Sequence, residues 1–274
     1  MKAIFKIEIE RALKGLGMKL ALLIGTGISI AHLILQVVPK AMEPLRFFDV
    51  NYQDLPRSVF NSWIGGNSNY EYQLFIRLIP ILVVLPYGIS FFTDMKTGIV
   101  KNYYTRMKKS QYLIAKYLSV FISGGIVVVL PLILNLLVTS AIMPSLISPG
   151  SAFFVNANGM WSGIFYSHPY IYIIMYLILN FIMAGLVGCI ALCVSQLVNN
   201  RFVAMLFPFL LCEFVSAISR YSSNYVIRGM AHYRFFSISQ LGYNYLESAV
   251  VVIIVLFVVG FGIFYVKGVK DDTL

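Results

Sequence analysis

Long apolar runs separated by short polar segments set the pattern of this chain. Six runs stand out, at residues 18–38, 74–92, 113–141, 170–198, 202–219 and 248–266. About 20 apolar residues in a helix match the hydrocarbon thickness of a bilayer, so each run predicts a membrane-spanning helix. The fourth is long enough to tilt or protrude. Pro39 follows the first run and is expected to help stop it. Residues 2–16 carry a different pattern, with Phe5, Ile9, Ala12, Leu13 and Leu16 on one helical face and Lys2, Lys6, Glu10 and Lys14 on the other. That periodicity predicts an amphipathic helix lying in the membrane interface. The expected fold is an all-α integral membrane domain covering residues 1–274. Six spans use nearly the whole chain, which leaves no room for a separate soluble domain. The first run starts too late and lacks a small-residue cleavage site, so it reads as a retained span rather than a signal peptide.

Composition agrees. The chain is 59% apolar and only 12% charged, with mean hydropathy +0.82. A soluble domain carries about 25% charged residues. The net charge of +10 would suit a nucleic-acid binder, but its distribution does not. The cations sit in short segments beside the apolar runs. One side of the membrane receives Lys2, Lys6, Arg11, Lys14, Lys19, the basic residues from Lys96 to Lys116, Arg201, Lys267 and Lys270. The other receives Lys40, Arg46, Arg57, Arg220, Arg228 and Arg234. The excess of cations on the first side places both termini in the cytoplasm, and an even number of spans agrees with both lying on one side. Residues 39–71, with Glu43, Asp49, Asp54 and Glu71, then form an outer loop. The aromatic-rich 220–247 segment lies on that side too, where Tyr and Phe suit an interfacial position.

Little of the chain suggests chemistry. Residues 15–19 read Gly-Leu-Gly-Met-Lys and lack Walker spacing, so the chain has no nucleotide loop of that kind. No metalloprotease or serine-hydrolase motif occurs, and the three histidines, at 32, 168 and 232, are scattered. Cys189, Cys193 and Cys212 fall inside apolar runs and read as packed small residues. Ala184, Gly188, Ala191 and Ser195 form a small-residue stripe on the fourth span, beside Gly185, of the kind that lets helices approach closely in lipid. Two ionisable residues lie within spans. Glu213, in the fifth, reads either as a substrate-pathway or helix-pairing residue or as a hydrogen-bonded structural carboxyl. Arg77, near the outer end of the second, is placed to snorkel.

The most informative stretch joins the second and third spans, at residues 94–108. Val100, Tyr103, Tyr104 and Met107 share a helical face over 99–108. The segment reads either as a solvated topogenic loop or as a short helix under the membrane offering aromatics and cations to a partner. Such residues commonly anchor interfaces, and a topogenic loop has no need of paired tyrosines. With Asp94, Gly98 four residues later, Lys116 opening the third span, and the run Lys96-Thr97-Gly98 through Lys101-Asn102, the sequence resembles the permease subunits of ABC-2 type transporters, in the branch serving Gram-positive antibiotic or bacteriocin export and immunity.

That resemblance implies an N-terminal elbow helix at 1–17, six transmembrane helices, a coupling helix at 94–108, and an extracellular re-entrant element at 220–247. It implies that Asp94, Thr97, Gly98, Lys101, Asn102, Tyr103, Tyr104, Arg106 and Lys116 couple to a cytoplasmic ABC ATPase. It further implies a second permease subunit, as homodimer or heterodimer, in a bacterial cell membrane. The chain itself would be no enzyme and would hold no cofactor. ATP and Mg would belong to the ATPase, and the exported substrate would be hydrophobic or peptide-like. An ATPase-independent channel or secondary transporter is the alternative, but Glu213 is the one intramembrane carboxylate available to it. Nucleic acid is not an expected partner; membrane lipid is.

Overall fold

A computed structural model describes residues 1–42, 58–66, 69–146, 155, 159–237 and 244–270. Glu43, Arg46, Asp49, Asp54, Arg57 and Tyr243, which the sequence assigned to outer segments, lie outside the described residues. The described residues form helices and turns without a strand. In chain order the helices are α1 Lys2–Lys14, α2 Leu16–His32, a π-helical turn Leu33–Val37, α3 Val38–Met42, α4 Val59–Ser62, a 3-10 turn Ile64–Gly66, α5 Tyr70–Leu82, α6 Ser90–Lys96 and α7 Ile99–Arg106. They continue with α8 Lys109–Ile142, α9 Ser162–Ser167, α10 Pro169–Val194, α11 Arg201–Tyr221, α12 Tyr225–Arg228, α13 His232–Phe236 and α14 Leu246–Lys270.

Among the described residues, five helical stretches are long and apolar enough to cross a membrane: Leu16–Met42, Lys109–Ile142, Pro169–Val194, Arg201–Tyr221 and Leu246–Lys270. Their burial differs sharply. The most apolar stretch of α10 is 83% buried, against 17% in α14 and 28% in α11. Helix α10 is therefore the central post. The outer helices present unbroken apolar faces, such as Leu20, Leu23 and Ile30 on one side and Ile254, Val258 and Val259 on another. Such faces suit a lipid solvent.

Two expectations are corrected. Pro39 does not stop the first run, because the helix passes through it to Met42. Proline has no N–H to give to the residue one turn back. The wider π-turn at Leu33–Val37, directly before it, absorbs the irregularity. The second apolar run is not one helix either. It divides into α5 and α6, with a chain of turns at 83–89 that contains Pro86.

Small residues make room for that break. The Leu85 carbonyl oxygen approaches Gly17 so closely that a Cβ there would lie 2.0 Å away. The Val83 carbonyl faces Gly188 of α10, at 3.1 Å from its hypothetical Cβ, and Gly124 of α8 at 3.5 Å. Gly188 belongs to the stripe with Ala184, Ala191 and Ser195, and all four are buried, as is Gly185. The stripe thus serves close packing against α8 and the broken segment. The three cysteines are buried and unpaired. Cys193 donates its S–H to the Gly260 carbonyl at 2.8 Å, which ties α10 to α14.

Between α11 and α14, two short helices fold back on the bundle. Phe235 and Phe236 of α13 are buried in the core, and Tyr221 and Tyr225 are exposed. The Tyr72 hydroxyl fixes α13 to α5 by donating to the Phe236 carbonyl at 3.1 Å.

Replacing Gly17 by Ala should destabilise the fold by about 1–3 kcal/mol through overpacking against a backbone oxygen. Thermal unfolding in detergent reads this. Gly27, with open space around it, is the control, and Gly27→Ala should be close to neutral.

Candidate functional site

Four charged side chains meet where α1, α6 and α8 converge. Glu8, Asp94 and Lys116 are fully buried, and Arg11 is partly so. The Lys116 ammonium lies 2.7 Å from Glu8 Oε2 and contacts Asp94 Oδ2 directly. Arg11 forks between the same two acids, with Nη1 at 3.1 Å from Glu8 Oε1 and Nη2 at 2.8 Å from Asp94 Oδ1. Two tyrosines complete the shell. Tyr87 donates to Glu8 Oε2 at 2.7 Å, and Tyr112 donates to Asp94 Oδ2 at 2.9 Å. The Lys116 ammonium also stands 4.4 Å from the centre of the Tyr87 ring, a cation–π contact. Every carboxylate oxygen therefore accepts from at least one donor, and the formal charge of the cluster is zero. Buried charges are tolerated in this form, paired and hydrogen-bonded.

Asp94 lies just beyond the second apolar run at 74–92, and burial alone would raise its carboxyl. The Arg11 hydrogen bond and the Lys116 charge outweigh it and hold Asp94 below the usual carboxylate range. Burial likewise acts to lower the Arg11 guanidinium, but the bond to Asp94 and the surrounding negative charge raise it.

The sequence singled out Asp94 and Lys116, and the structure brings them together. Glu8, Arg11, Tyr87 and Tyr112 were not recognised as a site. Within the bundle, Ile4, Glu8 and Ala12 are the buried stripe of α1, while Leu13 is exposed. Attraction to Lys116 turns Glu8 inward. The signal available was Glu8 itself, an acid spaced by four residues from both Ile4 and Ala12.

Gly98 supports the geometry by ending α6 and reversing the chain. Its φ of 73° lies in the left-handed region, which glycine adopts without strain. Helix α7 then folds back onto α8. The predicted face is the one that turns inward: Val100 is buried, and Tyr103 and Tyr104 are partly so. The Tyr103 ring stacks on Tyr112 at 5.0 Å, and Tyr104 meets Tyr112 edge-on at 5.9 Å. The two tyrosines thus fasten α7 to the bundle. The face left exposed is Lys101, Asn102, Thr105 and Arg106, with Thr97 exposed just before the turn.

Glu213 and Arg77 are not part of this cluster. Both line a separate cavity of about 650 Å³ at the far end of α5. His32, on α2, is buried 3.4 Å from the Asn135 amide nitrogen. A scan against protein-family models and searches of curated proteins and of solved structures each return no match to this chain.

Lys116→Ala should cost about 3–5 kcal/mol, because it strands two buried carboxylates. Lys116→Arg should recover part of that loss. Chemical denaturation in mixed micelles is the measurement. The pH dependence follows from Asp94, whose folded value is depressed. Its contribution is complete above the ordinary carboxylate value near 3.8. It is lost as pH falls through that range toward the depressed value. The acid limb of a stability–pH curve should flatten in Asp94→Asn.

Proposed function

We propose that this chain is the membrane-spanning subunit of an ABC-2 type ATP-binding cassette transporter in a bacterial cell membrane, with six spans and both termini cytoplasmic. In this reading α1 is the elbow helix, and α5 with α6 is a broken second span. Helix α7 is the coupling helix that a cytoplasmic ABC ATPase grips. A second permease subunit, of the same or a related sequence, completes the translocation unit. The ATPase binds ATP and Mg, and this chain supplies the path and the lever. The substrate class is hydrophobic or peptide-like, moved outward.

The observation that carries the reading is the cradle of Glu8, Arg11, Asp94 and Lys116 beneath α7. A docking handle must transmit force, so it has to be fixed to the bundle rather than hang as a loop. Helix α7 is fixed twice, by its tyrosines on Tyr112 and by the ion pairs that hold the end of α6 against α8. Its outward face keeps Lys101, Asn102, Thr105 and Arg106 exposed for a partner. A topogenic loop would need only the positive charge. The basic residues of α1, including exposed Lys2, Lys6 and Lys14, lie on the same side of the chain's charge pattern.

Two classes of substitution separate docking from anchoring. Lys101→Glu with Arg106→Glu should abolish co-purification of a Walker-motif ATPase encoded beside this chain, with little change in the subunit's own stability. Tyr103→Ala with Tyr104→Ala should lower stability and uncouple ATP hydrolysis from transport. Undiminished capture of the ATPase by the charge-reversed variant, or thiol labelling of Lys101→Cys from outside the cell, would remove this function.

A further inference from the structure

The cavity holding Arg77 and Glu213 has chemistry that the coupling cradle does not use. It is walled by α5, α11 and α13, and its polar lining includes Arg77, Glu213, Ser216, Arg220, His232 and Tyr233. Among the described residues, neither Arg77 nor Arg220 has a carboxylate at ion-pair distance. The Glu213 carboxylate stands 3.9 Å from His232 Nε2. Two guanidiniums, always protonated, thus face one carboxylate within a span-lined cavity. Both arginine side chains are exposed, so their guanidiniums are open to an anion entering the cavity.

Beside this cavity lies a second, of about 160 Å³ and almost wholly apolar, walled by residues including Val187, Leu211, Val215, Phe235, Val252 and Leu256. His232 belongs to the wall of both. Ser216 Oγ lies 2.9 Å from His232 Nδ1 and fixes the ring at the boundary. His232 Nε2 is buried and lacks a hydrogen-bond partner among the described residues. A cationic chamber therefore adjoins a greasy one across a single imidazole.

We infer that the two adjoining cavities bind an amphiphile whose phosphate head sits between Arg77 and Arg220 and whose apolar tail passes the shared His232 into the chamber lined by Val252 and Leu256. Phosphate fits better than carboxylate because each guanidinium presents a fork of donors. A phosphate monoester brings three terminal oxygens and up to two negative charges to the two forks, against a carboxylate's two oxygens and one charge. The Tyr233 and Ser216 hydroxyls and His232 Nε2 offer further polar contacts, and Glu213 limits the excess positive charge. The inference takes from the transporter reading only the idea that the ligand is cargo. Binding itself needs no ATPase, so loss of ATPase capture and loss of this binding are independent results.

The test uses the full chain purified in a neutral-headed detergent and titrated with dodecyl phosphate, dodecanoate, dodecanol or inorganic phosphate, with binding read by calorimetry. Dodecyl phosphate should bind, dodecanol and inorganic phosphate should bind far more weakly, and dodecanoate should fall between. Arg77→Gln with Arg220→Gln should weaken dodecyl phosphate about tenfold or more, the scale of losing charge-assisted hydrogen bonds. The paired Lys variants should retain most of the affinity, which separates lost charge from misfolding. Val252→Trp, which fills the apolar chamber, should weaken dodecyl phosphate without affecting inorganic phosphate. Competition by a short-chain phosphatidylglycerol would identify membrane phospholipid as the source of the head group. Failure of that lipid to compete, with dodecyl phosphate still bound, would identify a single-tailed phosphate instead. Equal affinity of the double Gln variant and the unaltered chain, or displacement by dodecanol as strong as by dodecyl phosphate, overturns the inference.

Discussion

Four charges buried at one junction constrain everything around them. Taking an ion out of water costs several kcal/mol even after relaxation, and the cost is offset only where a partner of opposite sign stands in good geometry. Glu8, Arg11, Asp94 and Lys116 meet that condition together. Lys116 bridges both acids, and Arg11 bridges the same two from the other side. Removing one helix from the junction strands charge on the others. Helix α1, the end of α6 and the start of α8 are thereby bound to move as one body. The reversal at Gly98 and the tyrosine stack on Tyr112 then extend that body to α7.

A second constraint acts at the break in the second apolar run. Turns free backbone carbonyls that a continuous helix would occupy, and lipid tolerates irregular backbone only where protein covers it. Gly17, Gly124 and Gly188 bring three neighbouring helices close enough to cover the turns at 83–89. The small-residue stripe on α10 and the break in the second run are two sides of one packing arrangement.

Much of this was legible in the sequence, and the omissions have physical causes. Hydropathy located the long helices because lipid imposes one length and one polarity on each. It joined α5 and α6 because the turns at 83–89 are as apolar as a helix, and only Pro86 and Gly88 mark them. Periodicity selected the right helix at α7 and the right face, but not the direction in which that face points. Tyr103 and Tyr104 look alike whether they grip a partner or the bundle, and Tyr112, which decides between the two, belongs to the next helix. The cradle was half visible. Asp94 and Lys116 stand close to one connection, whereas Glu8 and Arg11 arrive from the far end of the chain. The amphipathic pattern of α1 hid Glu8, because burying an acid is favourable only once Lys116 is in place. Arg77 and Glu213 were each legible as intramembrane charges, but their shared cavity depends on how α5 packs on α11.

The cradle and the far end of the bundle are joined by α8. This helix is unbroken over 34 residues. At a rise of ~1.5 Å per residue its length is ~50 Å, which exceeds the hydrocarbon thickness of a bilayer. Near its start, Lys116 is locked in the ion cluster. Near its other end, the Asn135 amide donates to the Ser29 carbonyl at 3.0 Å and accepts from the Ile64 N–H at 2.9 Å. Both termini of the helix are thus held by buried polar contacts, and close packing on α10 supports the length between. The second apolar run also reaches from end to end, with Arg77 on α5 and Asp94 on α6, but its turns interrupt any rigid path. Helix α8 is thus a continuous beam between the two ends, whereas the path through α5 and α6 contains a joint. The cradle and the Arg77 cavity are thus linked by two unlike connections, one an unbroken helix and the other a run interrupted at 83–89.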